Sequence, residues 1–468
     1  MTLCIRPFAH LVSVITFLLL PASLHAQLKV MSIGDSLTEE YYFEFPFSAP
    51  SSTPILGFAN TKNWVEILAE QRSSDLSFGD YESAWPFGYT DFRQAGYAYN
   101  FGIPGTDTPY WLGVIDPIIN PFDPDFDAST LPLIIVTREA MRNTYADMDV
   151  VVIMLGGNDV NFQYSDLYES LPGDTFANNF IAQVVANLEK LVDEVRDHNE
   201  TVPIVLANIP DLGATPDIIA DHPDASLRAN ASAIVNDLNA AVATMATNRG
   251  LTLAPISDLT DQLLSPDPIY IGAHQMVKGT DPTENNGPSY LFCWRGLHPS
   301  TNEQAIMANV LLEAINTATG SSIAKLESRE ILTDLLNLSP DQPYLDWAAA
   351  NNLTDDTMSA DADGDGIPNL GEYLLDLNPL SIDTSHLASL QTISGTQYLT
   401  LGYTFNEDAL RLAHGFIRYS TDLSNWMDLP SDGLIDLNNG SYEARLPIDT
   451  LPNEADHAFM RMEFSLKP

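Results

Sequence analysis

Apolar residues along this chain recur with two different periods. Five short runs, "LKVMSI" (28–33), "YAYNFGI" (97–103), "MDVVVIMLGG" (148–157), "VPIVLANI" (202–209) and "LTLAPI" (251–256), are apolar at nearly every position. Such runs read as strands buried on both faces. Between the third and fourth, Phe176, Phe180, Val184, Leu188, Leu191 and Val195 recur at helical spacing, with acids and Asn on the other side. Further helices are predicted at about 227–248 and from Asn302 to Thr317, and "NWVEILAEQ" (63–71) reads as a shorter amphipathic one. Strand and helix in alternation argue for an α/β domain, a parallel sheet covered by helices.

The pattern changes after about residue 322. "SPDQPYLDWAAANNLTDDTMS" (339–359) mixes Pro, Asp and Asn with one short helical piece. It reads as a linker, 323–355, leading into a small module. From 388 to 468, runs such as "QYLTLGYTF", "HGFIRYST" and "AFMRMEFSL" are β-like and broken by Asn-Gly and Asp-Gly turns, which predicts a small all-β domain.

Composition narrows the setting. A chain of 468 residues is too long for one ordinary core. Its 63 acidic residues face 20 basic ones, for a net charge of −43. That surface repels nucleic acid and anionic headgroups, so neither is expected as a partner. At the start, Arg6 precedes the apolar run "LVSVITFLLL", then Pro21 and a small-residue site at Ala26. This reads as a signal peptide over 1–26, with export to the periplasm or the medium and no stable membrane insertion. Loss of Arg6 would take the net charge from −43 to −44 and leave Cys293 as the sole cysteine, so no intrachain disulfide is expected.

Candidate chemistry gathers at strand ends. Gly34-Asp35-Ser36 stands where the first apolar run stops. Alone it fits a plain turn. Acyl transfer, however, needs a nucleophile, a base and oxyanion donors, and the remaining strand ends offer them. "NFGIPGTDT" (100–108) carries Gly105, "LGGNDV" (155–160) carries Asn158, and "WRGLHPS" (294–300) brings His298 just before the last helix. All belong to one edge of one sheet, where open α/β folds place their ligands.

These four blocks, in this order, resemble the SGNH hydrolases, also called GDSL esterases and lipases. "ANIPDLGATP" (207–216) and "YLFCWRGLHPS" (290–300) resemble further family blocks, so the likeness runs over roughly residues 28–320, within an expected catalytic domain at 27–322. The resemblance implies a flavodoxin-like three-layer parallel sheet. It also implies that Ser36 attacks an ester carbonyl and His298 shuttles its proton. The N–H groups of Ser36 and Gly105, with the Asn158 amide, would bind the oxyanion, and no cofactor would be needed for catalysis. One position departs. The family usually has Asp three residues before the catalytic His, and this chain has Arg295. A guanidinium cannot accept the imidazole N–H. Three readings stay open: a backbone carbonyl at or near Arg295 orients His298, leaving a Ser–His dyad; an acid such as Asp267, Asp281 or Glu284 swings in; or catalysis is lost and the fold binds glycan. Arg295 itself is a candidate contact for an anionic substrate. Aromatic residues between Ser36 and Gly105, Trp85 among them, are expected mainly to pack, with some walling the substrate. The histidines outside the four blocks are expected to be structural.

"DADGDGIPNLGE" (361–372) offers a second site. Asp361, Asp363, Asp365, the Ile367 carbonyl, Asn369 and Glu372 occupy the oxygen-ligand positions of a calcium loop, with Gly366 at the sharp turn. The segment 356–380 resembles dockerin-like and thrombospondin type 3-like calcium loops, and the β region after it resembles the accessory domains that follow them. A structural Ca²⁺ is expected there. The whole reads as a secreted serine esterase, with O-acetyl groups on carbohydrate as first substrate and lipid or short-chain esters as second.

Overall fold

Whether an apolar run forms a strand or a helix depends on what covers it, and here both faces of the sheet are covered. The computed structural model describes residues 27–40, 61–82, 88–93, 95–119, 121, 127–383, 388–437, 440–451 and 457–468. The expected signal peptide and part of the aromatic insert, including Tyr41, Phe43, Trp85 and Phe87, lie outside the described residues. Six parallel strands make the main sheet: β1 (Leu28–Gly34), β2 (Leu76–Ser77), β3 (Asn100–Gly102), β4 (Val150–Met154), β5 (Ile204–Ala207) and β6 (Thr252–Ala254). Strands β2 and β3 share one side of β1: Leu28 pairs with Leu76, and Gly34 with Gly102. The other side of β1 pairs with β4, then β5, then β6. With β2 and β3 counted as one interrupted strand, the order is 2-1-3-4-5, the flavodoxin-like arrangement. Its switch point lies between β1 and its two neighbours.

Side chains alternate across this sheet, as the pleat requires. Met31, Ile33, Val151, Ile153, Ile204 and Leu206 face one apolar cluster, and Val30, Val150, Val152, Val205 and Ala207 face another. Eight helices position the site and its support: α1 (Trp64–Gln71), α2 (Thr108–Ile115), α3 (Leu131–Tyr145), α4 (Gly157–Phe162), α5 (Thr175–His198), α6 (Ala225–Arg249), α7 (Ser257–Leu264) and α8 (Thr301–Thr319). Helix α5 starts where the Asp174 side chain accepts the Ala177 N–H, and it buries Phe180, Val184, Leu188, Leu191 and Val195. Helices α2, α3, α5 and α6 contribute to the first cluster, while α1, α7 and α8 contribute to the second. No described helix is long and apolar enough to cross a membrane.

A small sheet of β7 (Ile269–Ile271), β8 (His274–Thr280) and β9 (Tyr290–Phe292) leads the chain back toward His298. The stretch beyond residue 322 differs from the open linker that its composition suggests. Leu326, Ile331, Leu332 and Leu336 are buried in the second cluster. Arg72 at the end of α1 forks onto Glu330 at 2.6 and 2.9 Å, and its Nε donates to the Ala324 carbonyl. Apolar residues at helical spacing thus fasten the first part of this segment to the main domain.

Beyond it come α9 (Asn369–Leu375) and two antiparallel sheets. One orders β10 (Ser389–Ile393), β11 (Thr396–Thr404), β15 (Ser441–Pro447) and β14 (Leu434–Asp436) as β10-β11-β15-β14. The other orders β13 (Met427–Asp428), β12 (Ala413–Ser420) and β16 (Phe459–Leu466) as β13-β12-β16. Leu399, Leu401 and Leu446 from the first share a core with Ile417 from the second.

Candidate active site

Strand β1 ends at Gly34 because the next residues turn back on it. A Cβ at Gly34 would stand 2.2 Å from Thr38 Oγ1. The Asp35 carbonyl accepts the N–H groups of Thr38 and Glu39, and its side chain accepts the Leu37 N–H at 2.9 Å. Burial pushes the Asp35 carboxyl up to about 7, opposed by the Leu37 hydrogen bond and reinforced by Asp159. This tight turn sets Ser36 at the sheet edge, and its Oγ lies 2.9 Å from Nε2 of His298.

His298 comes from a strap anchored at both ends. The Cys293 N–H donates to the His298 carbonyl, the Ser300 N–H donates to the Leu291 carbonyl, and Phe292 bridges to Pro299. Burial, and then the positive charge of Arg295, lower the imidazole to about 4. At neutral pH the ring is therefore uncharged and able to accept the Ser36 proton. No carboxylate of the described residues contributes to that shift. The Arg295 guanidinium is exposed, with its carbon 4.9 Å from the centroid of the Trp294 ring. Of the acids considered for orienting His298, Asp281 takes the Thr283 hydroxyl and the N–H groups of Thr283 and Gly287 within its own turn. Asp267 accepts the Ser265 hydroxyl, and Glu284 is exposed.

The oxyanion candidates are tied to this turn by the backbone. The Ile103 N–H donates to the Gly34 carbonyl at 3.0 Å, which fastens the loop after β3 to the end of β1. Gly105 in that loop has a left-handed φ of 73°, and a Cβ there would meet nothing within 4 Å. Asn158, in α4 directly after β4, donates from Nδ2 to the Thr106 carbonyl at 2.9 Å. An amide nitrogen carries two hydrogens, so this bond orients the group and leaves one hydrogen for a substrate oxygen. Asp159 then locks the loop, accepting the Thr108 N–H at 2.9 Å and its hydroxyl at 2.6 Å. Thr106, Thr108 and Asp159 were not singled out from the sequence. The signal was their place inside the "PGTDT" and "GGNDV" blocks.

Ser36, Asn158 and His298 line one cleft; Gly105 stands on the neighbouring loop and is not part of its wall. The wall is mainly apolar, with Leu212, Ile256, Leu259, Leu263, Leu297 and Met307, and the cavity measures about 70 Å³. Two acids, Asp35 and Glu303, also line it. The other histidines in the described residues play no part in this wall. His222 packs against the Tyr164 and Tyr168 rings, His198 is within hydrogen-bond distance of the Glu194 carbonyl, and His274 of the Ser339 carbonyl.

The acidic loop lies apart from this cleft. Asp361, Asp363 and Asp365 each offer a carboxylate oxygen within 4.8 Å of the others. Gly364 and Gly366 take left-handed conformations that let the loop close. Glu372 is 1% exposed, and among the described residues neither of its carboxylate oxygens has a hydrogen-bond partner. Asn369 is fully buried. Its Nδ2 donates to the carbonyls of Asp355 and Thr357, while its Oδ1 has no partner among the described residues. Unpartnered buried oxygens beside three carboxylates are the donor set of a hard divalent cation, so these residues fit Ca²⁺.

Residues 30–311, more than half the chain, match the family described as GDSL-like lipase/acylhydrolase. No curated protein matches the chain. Solved structures similar to it include a GDSL-like lipase from Parabacteroides merdae, 14% identical over 64% of this chain and 98% of that one, with a TM-score of 0.33. An acetylxylan esterase from Geobacillus stearothermophilus is 17% identical over 62% and 95%, with a TM-score of 0.33. A carbohydrate acetylesterase from Sinorhizobium meliloti is 17% identical over 62% and 99%, with a TM-score of 0.32.

Proposed function

The chain belongs to the GDSL-like lipase/acylhydrolase family and is a hydrolase of ester bonds, and from that premise we propose that it is a secreted serine esterase removing short acyl groups, foremost O-acetyl groups on carbohydrate. The observation that carries this reading is the 2.9 Å separation of Ser36 Oγ and His298 Nε2 at the cleft. Ser36 attacks the ester carbonyl, and its proton passes to His298 Nε2. The N–H groups of Ser36 and Gly105 and the free hydrogen of the Asn158 amide donate to the tetrahedral oxyanion. His298 returns the proton to the leaving alkoxide, the alcohol departs, and water repeats the sequence on the acyl-enzyme. Burial and Arg295 oppose the transient imidazolium, and the oxyanion formed beside it compensates.

Cavity size supports a short acyl group. A water needs roughly 10–15 Å³ on this measure, so about 70 Å³ is room enough for an acetyl-sized group. The acidic surface and the leader-like segment at 1–26 support export. Calcium, held by Asp361, Asp363, Asp365, the Ile367 carbonyl, Asn369 and Glu372, would supply structure to the C-terminal part and no step of the hydrolysis.

A panel of 4-nitrophenyl esters and an acetylated polysaccharide tests the reading. The expected outcome is acetate release from the polysaccharide, with kcat/KM falling about tenfold or more between acetate and octanoate. A rise toward octanoate and dodecanoate would favour a lipase.

A further inference from the structure

Glu303 takes no part in that mechanism, yet it lines the same cleft as Ser36 and His298. Glu303 and Met307 stand four residues apart on α8, so one helical face supplies two of the lining side chains. Glu303 is 4% exposed, and its Oε2 has no hydrogen-bond partner among the described residues. Burial alone pushes its carboxyl up to about 7. A buried acid left unsatisfied calls for a cause.

The ordinary structural cause fails here. Ser300-Thr301-Asn302-Glu303 has the spelling of a capping box, in which the Glu reaches back to the N–H of the cap residue. That pairing is not made. The Ser300 N–H donates to the Leu291 carbonyl at 2.8 Å, and the Ser300 hydroxyl serves the Tyr290 carbonyl and Asn302. Asn302 Oδ1 accepts the Glu303 N–H in place of the serine side chain. With the cap satisfied by other groups, the carboxyl is left to the cleft. Attraction to the helix dipole explains an acid in a first turn, but not its burial among Leu259, Leu263, Leu297 and Met307.

We propose that Glu303 is a specificity residue whose carboxyl group accepts a hydrogen bond from a substrate hydroxyl a few atoms from the scissile ester, so that the enzyme selects hydroxylated esters. The proposal rests on the esterase reading. A hydroxyl suits the site in either protonation state, because a carboxyl keeps acceptor lone pairs when protonated and can then donate as well. The hydroxyl has two sources, a short hydroxy-acyl group or a polyol alcohol such as a sugar.

The test uses two matched pairs with the full-length enzyme: 4-nitrophenyl 3-hydroxybutyrate against butyrate, and glycerol monoacetate against propyl acetate. Wild type is expected to favour the hydroxylated member of one pair by about tenfold or more in kcat/KM, since a site built to bond a hydroxyl rejects the analogue without it. The pair that shows the preference identifies which arm of the ester fills the cleft. Glu303→Met should bring that ratio to within about twofold, while Glu303→Gln, which retains an acceptor oxygen, should keep most of it. Ester hydrolysis with ratios near one for both pairs overturns the proposal and leaves the esterase reading standing; so does a ratio that survives Glu303→Met. The wild-type ratios decide even if the Met variant does not fold. No hydrolysis of any ester would overturn both.

Discussion

At His298 two influences act in the same direction: burial disfavours the imidazolium, and the Arg295 charge adds to it, holding the ring down to about 4. The catalytic form is the neutral base, so activity is lost only as pH falls through that value. The kcat/KM profile is expected to stay level from about pH 8 to about pH 5 and to drop roughly tenfold per unit below about pH 4. An acid limb near the ordinary histidine value would mean that a carboxylate pairs with the ring and offsets Arg295. Much of this residue-scale picture could be read in advance. Ser36, Gly105, Asn158 and His298 stand in short blocks at strand ends, and Arg295 announces itself by occupying the place of an acid. Thr106 and Asp159 stand in the same blocks, but their roles were not legible there, because their work is to hold other groups and such bonds appear only when two loops meet. Glu303 was hidden differently, since its local spelling belongs to a helix cap that the fold does not build.

Elements were legible where one environment covers a whole run. Strand β4 is buried at all five residues and reads as "VVVIM". Helix α5 displays its stripe over six turns. Helix α3 escaped notice because its apolar residues crowd its start, where Leu133 and Val136 remain exposed, so no clean period emerges. The segment after residue 322 misled by composition: its polar residues suggest a linker, while Leu326, Ile331 and Leu332 anchor it in the core. The acidic loop and the start of α9 carry the element-scale prediction. A ligand that binds only the folded form stabilises it by about 2.7 kcal/mol at a hundredfold excess over Kd. Chelation should therefore lower a melting transition of the full-length protein by several degrees, and calcium should restore it, while ester turnover at 25 °C stays within about twofold. Asp363→Ala combined with Glu372→Gln should abolish the calcium response. A melting curve indifferent to calcium in wild type would rule out a cation at this loop.

Taken whole, the molecule combines an acidic surface with several buried acids whose carboxyls burial pushes up. Asp35, Glu40 and Glu303 are each pushed up to about 7, burial being the main cause. Between their ordinary values near 4 and that raised value, the folded state binds protons that the unfolded state has lost. Their contribution is complete at low pH and disappears as pH rises through about 7. His298 acts in the opposite sense between pH 6.5 and about 4. The net charge of −43 adds repulsion as pH rises. The melting temperature is thus expected to be about 5 °C or more higher at pH 5 than at pH 8; a maximum at pH 8 would mean that these acids are ionised in the folded protein. The catalytic reading itself meets its most direct test in labelling with a fluorophosphonate, followed by mass spectrometry of the digested protein. One phosphonyl group on the peptide carrying Ser36 is expected, with none in a folded Ser36→Ala variant. An adduct on another residue, or equal labelling of both proteins, would contradict the assignment of Ser36 as nucleophile.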